Sequence, residues 1–249
     1  MTDPAPTETA PSDVLEPLAA RYLRRPSTTA IPPEADGIVR AMPVVLRLER
    51  PPAPRTPVLE AAADAALAVC LDPRAEPGGE WHDAVATWVA GRIRKIARRA
   101  RGAHWAAVQD LPGVTCVVDS PDGPAEARAL LPGPVDEVPK VVSRLQIGGT
   151  ELPADEPGPP PPGVPVIWVN ADLEMTVGKA AAQVGHASML YAAAQGLTAV
   201  PSFAVREARG DRWARLCDGV KGGEGVAVRD AGFTEVAPGT ITCIATPPG

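Results

Sequence analysis

The sequence predicts an α/β protein: a mixed β-sheet flanked by helices, in the order β-α-β-α-β-β in the C-terminal half and duplicated in the N-terminal half. Three observations predict it. Short β-branched and aliphatic runs alternate with alanine-rich helical stretches in both halves. A proline-rich segment, PADEPGPPPPGVP at residues 153–165, separates the halves. ARGAHWAAVQD, starting at Ala100, is echoed by ARGDRWARLCD, starting at Ala208, with Ala-Arg-Gly, Trp and Asp all coinciding. PVVLRL similarly echoes PVIWVN, and ALLPGP echoes EVAPGT.

Residues 1–13 are mostly Pro, Thr, Ala and acid, which predicts a disordered tail without the basic and apolar regions of a secretory leader. Residues 14–25, VLEPLAARYLRR, predict a short amphipathic helix with Leu15, Leu18, Tyr22 and Leu23 on one side. MPVVLRLER reads as a strand, which PPAPRTP breaks. Thr56 can cap the next helix, with Pro57 in its first turn, and the alanine-rich run continues to Leu71. EWHDAVATWVAGR predicts a second helix with Trp81, Val85, Trp88 and Val89 at core spacing. IRKIARRARGAHWAAVQDLPG follows; then VTCVVDS reads as a strand, EARALLPG as extended and VPKVVSRLQ as helix.

Residues 153–165 contain seven prolines in thirteen positions, a composition that favours polyproline II and a semi-rigid linker. The expected organisation is a tail (1–13), an N-terminal α/β domain (14–152), the linker (153–165) and a C-terminal domain (166–249). In that last domain VIWVNA is a strand, apolar enough to be buried on both faces. Thr176 is a candidate N-cap for VGKAAAQVGHASMLYAAAQ, which Gly196 ends. SFAVREA is a strand, GDRWARLCDG a helix, GVAVRDAG a strand, FTEVAPGT a turn-like connection and ITCIATP the last strand.

Composition narrows the function. Of 249 residues, 45% are hydrophobic and only 4% aromatic, so Ala, Val and Leu must form the core. The net charge of −6 gives no global field for nucleic acid. The one dense basic cluster is RIRKIARRAR at residues 92–101, six basic side chains in ten. Arg98 and Arg99 in it are candidate phosphate contacts; a solvated face with Arg–Asp pairing is the other reading. Cys70, Cys116, Cys217 and Cys243 are far apart and read as small buried hydrophobes, and no metal site is expected. No apolar run nears the ~20 residues of a membrane span, so a soluble, cytoplasmic protein is expected.

Two segments suggest chemistry. Lys179, Gln183 and His186 stand at i, i+4 and i+7 and share one helix face. Lys179 falls in the first turn, where free N–H groups favour an anion, and Gly178 lets a ligand approach the backbone. The plainer reading is a solvated lysine, a capping glutamine and a half-buried histidine. Asp230 ends a buried strand, where open α/β sheets commonly place ligands, with Thr234 and Thr242 nearby. An ordinary turn is the plainer reading there.

Together the two segments resemble the type 2 peptidyl-tRNA hydrolase family, over about residues 166–248. The motifs are ADLEM followed by GKAAAQVGHA, then DAGFTEVAPGTITCIATPP. The resemblance implies an esterase that cleaves the bond between a peptide carboxyl and the 3′ ribose of tRNA, without a metal or cofactor. It assigns Lys179, Asp230, Thr234 and Thr242 to catalysis and matches Gln183 and His186 to the family's QxxH positions; these two, with Gly178, are the candidate substrate-binding residues. It also implies a homodimer, or one chain acting as an internal pseudo-dimer whose N-terminal copy lacks GKAAAQVGH. Family members carry a second helix where this chain has only GLTAVP after Gln195, so one wall of the sheet is expected to be bare unless the first half covers it. EWHDAVATWVAGR is the candidate cover. The alternative function is a non-catalytic tRNA- or ribosome-binding protein that keeps the fold.

Overall fold

The computed structural model describes residues 13–23, 34, 36–149, 151–152, 154–232 and 236–249. The expected tail lies outside them except for Asp13, as do Arg24 and Arg25 of the first expected helix and the side chains of Tyr22 and Leu23.

The chain folds the same way twice. The first unit is α1 (Glu16–Leu23), β1 (Arg40–Arg47), α2 (Arg55–Leu71), α3 (His82–Ala90), β2 (Lys95–Ala100), α4 (Gly102–Gln109), β3 (Gly113–Val118), β4 (Ala125–Leu130), β5 (Gly133–Pro134) and α5 (Lys140–Ser143). The second is β6 (Val166–Asn170), α6 (Val177–Gln195), β7 (Ala204–Ala208), α7 (Gly210–Lys221), β8 (Val226–Arg229) and β9 (Ile241–Thr246). The sheet orders are β2-β1-β4-β3, with β5 beside β1, and β7-β6-β9-β8. In each sheet the first two strands are parallel and the remaining pairings antiparallel. The second unit therefore has the expected β-α-β-α-β-β order in a mixed sheet.

Register shows which echoes are structural. Ala100 pairs with Arg47 at the end of β2, and Ala208 with Asn170 at the end of β7. The Ala-Arg-Gly turns match closely: Gly102 and Gly210 have φ of 51° and 52°, a left-handed start to α4 and α7 that glycine permits. Trp105 N–H donates to Arg101 O, and Trp213 N–H to Arg209 O, both at 3.4 Å. The PVVLRL echo is one residue out, because Arg47 and not Leu48 is the counterpart of Asn170. The ALLPGP echo is no equivalence: Ala129 lies within β4, whereas EVAPGT precedes β9.

Strand alternation places the layers. In β1, Met42, Val44 and Leu46 face one way and Val45 the other; in β6, Ile167 and Val169 oppose Val166 and Trp168. The inward faces meet α2 and α6 in one hydrophobic cluster drawn from both units. Trp81, Val85, Trp88 and Val89 of the expected core stripe are all buried in it. Outside the first sheet, α4 and α5 bury Trp105, Val108 and Val142. Outside the second, Trp213 and Leu216 of α7 lie over Trp168.

α2 and α6 cross on a local two-fold axis. A Cβ on Gly185 would lie 3.0 Å from Ala66 Cβ, and Ser188 Oγ donates to Ala63 O at 2.8 Å. Counted from the helix starts, Ala63 corresponds to Gly185 and Ala66 to Ser188. The contact is thus reciprocal, like that of a symmetric dimer, but within one chain.

The bare wall is covered, though by α2 and not by the expected α3, which packs instead against α1 and the turn before it. β7 is an edge strand, whose outward N–H groups need partners. Phe203 N–H donates to Asp64 and Val205 N–H to Glu60, each at 3.0 Å. Arg206 bridges Glu60 to Gly158 O and Pro159 O in the proline segment. The same segment supplies Asp155, whose carboxylate accepts the Thr56 N–H (3.0 Å) and hydroxyl (2.8 Å) at the start of α2. Thr56 is therefore not the cap; Asp155 serves that end, where a negative charge suits the helix dipole.

Candidate active site

Thr176 caps α6 as the sequence suggests: its Oγ1 accepts Lys179 N–H at 3.2 Å, and Gly196 closes the other end in the left-handed region. A cap of this kind contributes about 1 kcal/mol. Gly178 and Lys179 are the second and third residues of α6. This helix start lies beyond the carboxyl end of β6.

β8 runs with β6, so the residue after it, Asp230, emerges at the same edge of the sheet. The turn that follows holds Asp230 firmly. Its N–H donates to Thr240 O (2.9 Å), its carbonyl accepts from Gly239 N–H (2.8 Å), and Oδ1 accepts from Gly232 N–H (2.7 Å). Gly232 cannot be replaced cheaply there, since a Cβ would lie 2.3 Å from Pro238 Cγ.

The two elements meet on one carboxylate oxygen. Lys179 Nζ contacts Asp230 Oδ2, and Gln183 Nε2 donates to the same oxygen at 2.8 Å. Thr242 Oγ1 donates to Gln183 Oε1 at 2.7 Å. The side chains of Lys179 and Asp230 are only 11% and 5% exposed. A pair so dry interacts more strongly than one in water, and each partner depends on the other.

Thr242 is fully buried beneath Gln183. Its hydroxyl is engaged by the Gln183 amide and, at 3.4 Å, by Val228 O. Thr234 lies outside the described residues. His186 is half-buried one turn beyond Gln183, with Nδ1 3.1 Å from Lys95 Nζ. Burial, with Lys95 and Lys179 beside it, pushes the imidazole well below its ordinary range. Lys95, from β2, was not foreseen; its only signal was membership of the basic run. Arg98 and Arg99 bond elsewhere: Arg98 to Ser143 O and Leu145 O (3.3 and 2.8 Å), and Arg99 to Gln146.

The first unit does not repeat this site. Position for position, Pro57, Ala61 and Glu126 stand where the second has Lys179, Gln183 and Thr242. Asp119, the residue after β3, matches Asp230 but is exposed.

Fold and site together define an α/β protein with a buried lysine–carboxylate pair at the carboxyl edge of its second sheet. The family model described as Peptidyl-tRNA hydrolase PTH2 matches residues 164–215, and the C-terminal region is type 2 peptidyl-tRNA hydrolase-like. The match takes in Lys179, Gln183 and His186 and ends before Asp230 and Thr242. No curated protein matches the chain. Among the described residues no group of His, Cys, Asp or Glu is placed to hold a metal, and no helix is long and apolar enough to cross a membrane.

Proposed function

We propose that the second unit hydrolyses the ester bond of peptidyl-tRNA, releasing peptide and tRNA. The convergence of Lys179 and Gln183 on Asp230 Oδ2, at the start of the helix that the family model matches, supports this most directly. In this reading Asp230 takes a proton from a water, which attacks the ester carbonyl. The developing oxyanion is met by Lys179 and the amide end of α6. The 3′ oxygen of the ribose leaves with a proton. Gln183, held by Thr242, keeps Asp230 aimed. Arg98 and Arg99, bonded to Ser143, Leu145 and Gln146 within the first unit, are given no step in this reading. The first unit is a degenerate copy joined through residues 153–165, so the chain works as an internal pseudo-dimer.

Release of peptide from a short N-acyl-aminoacyl-tRNA, compared with an unrelated ester, tests the proposal. The tRNA ester should be cleaved and the unrelated ester spared, and Lys179→Met should remove turnover. Binding of tRNA without release would instead mark a non-catalytic tRNA-binding protein. Cleavage of both esters would mark a general esterase.

A further inference from the structure

Lys95 occupies a built position. Its stem crosses α6 at Gly185, where a Cβ would come within 3.1 Å of both Cδ and Cε. Its amine lies 4.9 Å from the centre of the Trp88 ring, 3.5 Å from Ile93 O and 3.1 Å from His186 Nδ1. Ile93 has φ of 46°, a strained value for a β-branched residue. The next residue is anchored twice: Trp88 Nε1 donates to Arg94 O at 3.0 Å, and the Arg94 side chain pairs with Glu34. No carboxylate pairs with Lys95 among the described residues. At the counterpart position, five residues before Ala208, the second unit has Phe203.

We propose that Lys95 is a positioning residue for the Lys179–Asp230 site, supplied by the first unit: its amine donates to His186 Nδ1 and holds the imidazole neutral, with the proton on Nε2. An ammonium beside Nδ1 has no lone pair, so it can serve only if that nitrogen accepts, which leaves the proton on the other. Lys95 and Lys179 are the cations that act on His186, and Cys70 on α2 faces Lys95. A protonated imidazole would put another cation on the face of α6 that presents Lys179 to Asp230. Burial opposes this first and Lys95 adds to it, so the first unit takes part in the site of the second.

The test is a histidine titration by NMR on the full chain, which has three histidines, so His186→Asn assigns the resonance. In the wild type, His186 should show Nε2–H and no titration between about pH 8 and pH 5. Lys95→Met should mix the tautomers and raise the titration, with burial still holding it below the ordinary value. Lys95→Arg, which can only donate, should preserve the tautomer. A wild-type imidazole protonated on Nδ1, or one that titrates near its ordinary value, would overturn the proposal, and this measurement needs no variant to fold.

The kinetic arm rests on the peptidyl-tRNA hydrolase reading. Lys95→Met should lower kcat about tenfold, with the loss growing at acid pH, and the double variant with His186→Asn should lose no more than either alone. Independent, additive losses would overturn the proposal. Absence of hydrolysis in the wild type would sink the hydrolase reading while leaving the NMR result to decide the role of Lys95.

Discussion

Gln183 donates to Asp230 Oδ2 at 2.8 Å, and that bond sets which way its amide faces. The carbonyl end is then left for Thr242, which donates to it at 2.7 Å in a fully buried position. Thr242→Val should leave Gln183 Oε1 without its donor, at about 1–3 kcal/mol, and lower turnover, whereas Thr242→Ser should keep both near normal. Thermal unfolding with single-turnover hydrolysis checks this. Unchanged turnover in the valine variant would show that the hydroxyl does not act through Gln183.

The buried pair makes a prediction about coupling. Lys179→Met and Asp230→Asn should each destabilise by about 3–5 kcal/mol, because each removes the opposite charge from a group that stays buried. The double variant should be more stable than the sum implies. Turnover in each single variant should fall by ~10²–10³. Denaturant titration of the four proteins measures the coupling energy, and simple additivity would mean that the two charges do not interact.

Asp64 should leave a signature in acid. Burial first, and Glu60 second, raise its carboxyl from 3.8 to about 6, against the Phe203 N–H that lowers it. Between those values the folded chain holds a proton that the unfolded chain has lost, so stability should fall as pH rises from about 4 to about 6. Asp64→Asn keeps the acceptor for Phe203 N–H and should remove that slope. Asp64→Ala should cost about 1–3 kcal/mol by leaving the amide unpaired. Chemical denaturation across the window reads both.

Lys95 should act on the alkaline side. Burial lowers its amine from 10.5 to about 7. Between those values the unfolded chain binds the extra proton, so stability should rise with pH from about 7 to about 10. Lys95→Met should flatten the rise, as followed by unfolding midpoints at several pH values.

At the helix crossing, Gly185→Ala should cost about 1–3 kcal/mol, since its Cβ would press on Ala66 and on the Lys95 stem. Adding Lys95→Ala should recover part of that loss. No recovery would place the strain on Ala66 alone.

Much of this was legible because it is local. The Thr176 cap, the Gly196 stop and the shared face of Lys179 and Gln183 follow from spacing along one helix, and Asp230 follows from ending a strand. β2 was hidden because Ile96 and Ala97 sit among Lys95, Arg98 and Arg99, so neither face reads as apolar. The partner of Thr242 was not legible because a hydroxyl type does not reveal which face of a strand it occupies. Asp64 and Glu60 looked like ordinary acids on a helix, and Asp155 like part of a linker. Their partners are about a hundred or more residues away in sequence, a separation over which no periodicity operates.

The reciprocal crossing of α2 and α6 has a genetic consequence. When two identical subunits meet, any amino-acid change near their axis is made twice, so both sides must tolerate it. Here each side is encoded separately. A lysine can stand at 95 while phenylalanine stands at 203, so the two sides are free to diverge. The partnership also survives any dilution, because neither half can diffuse away from the other.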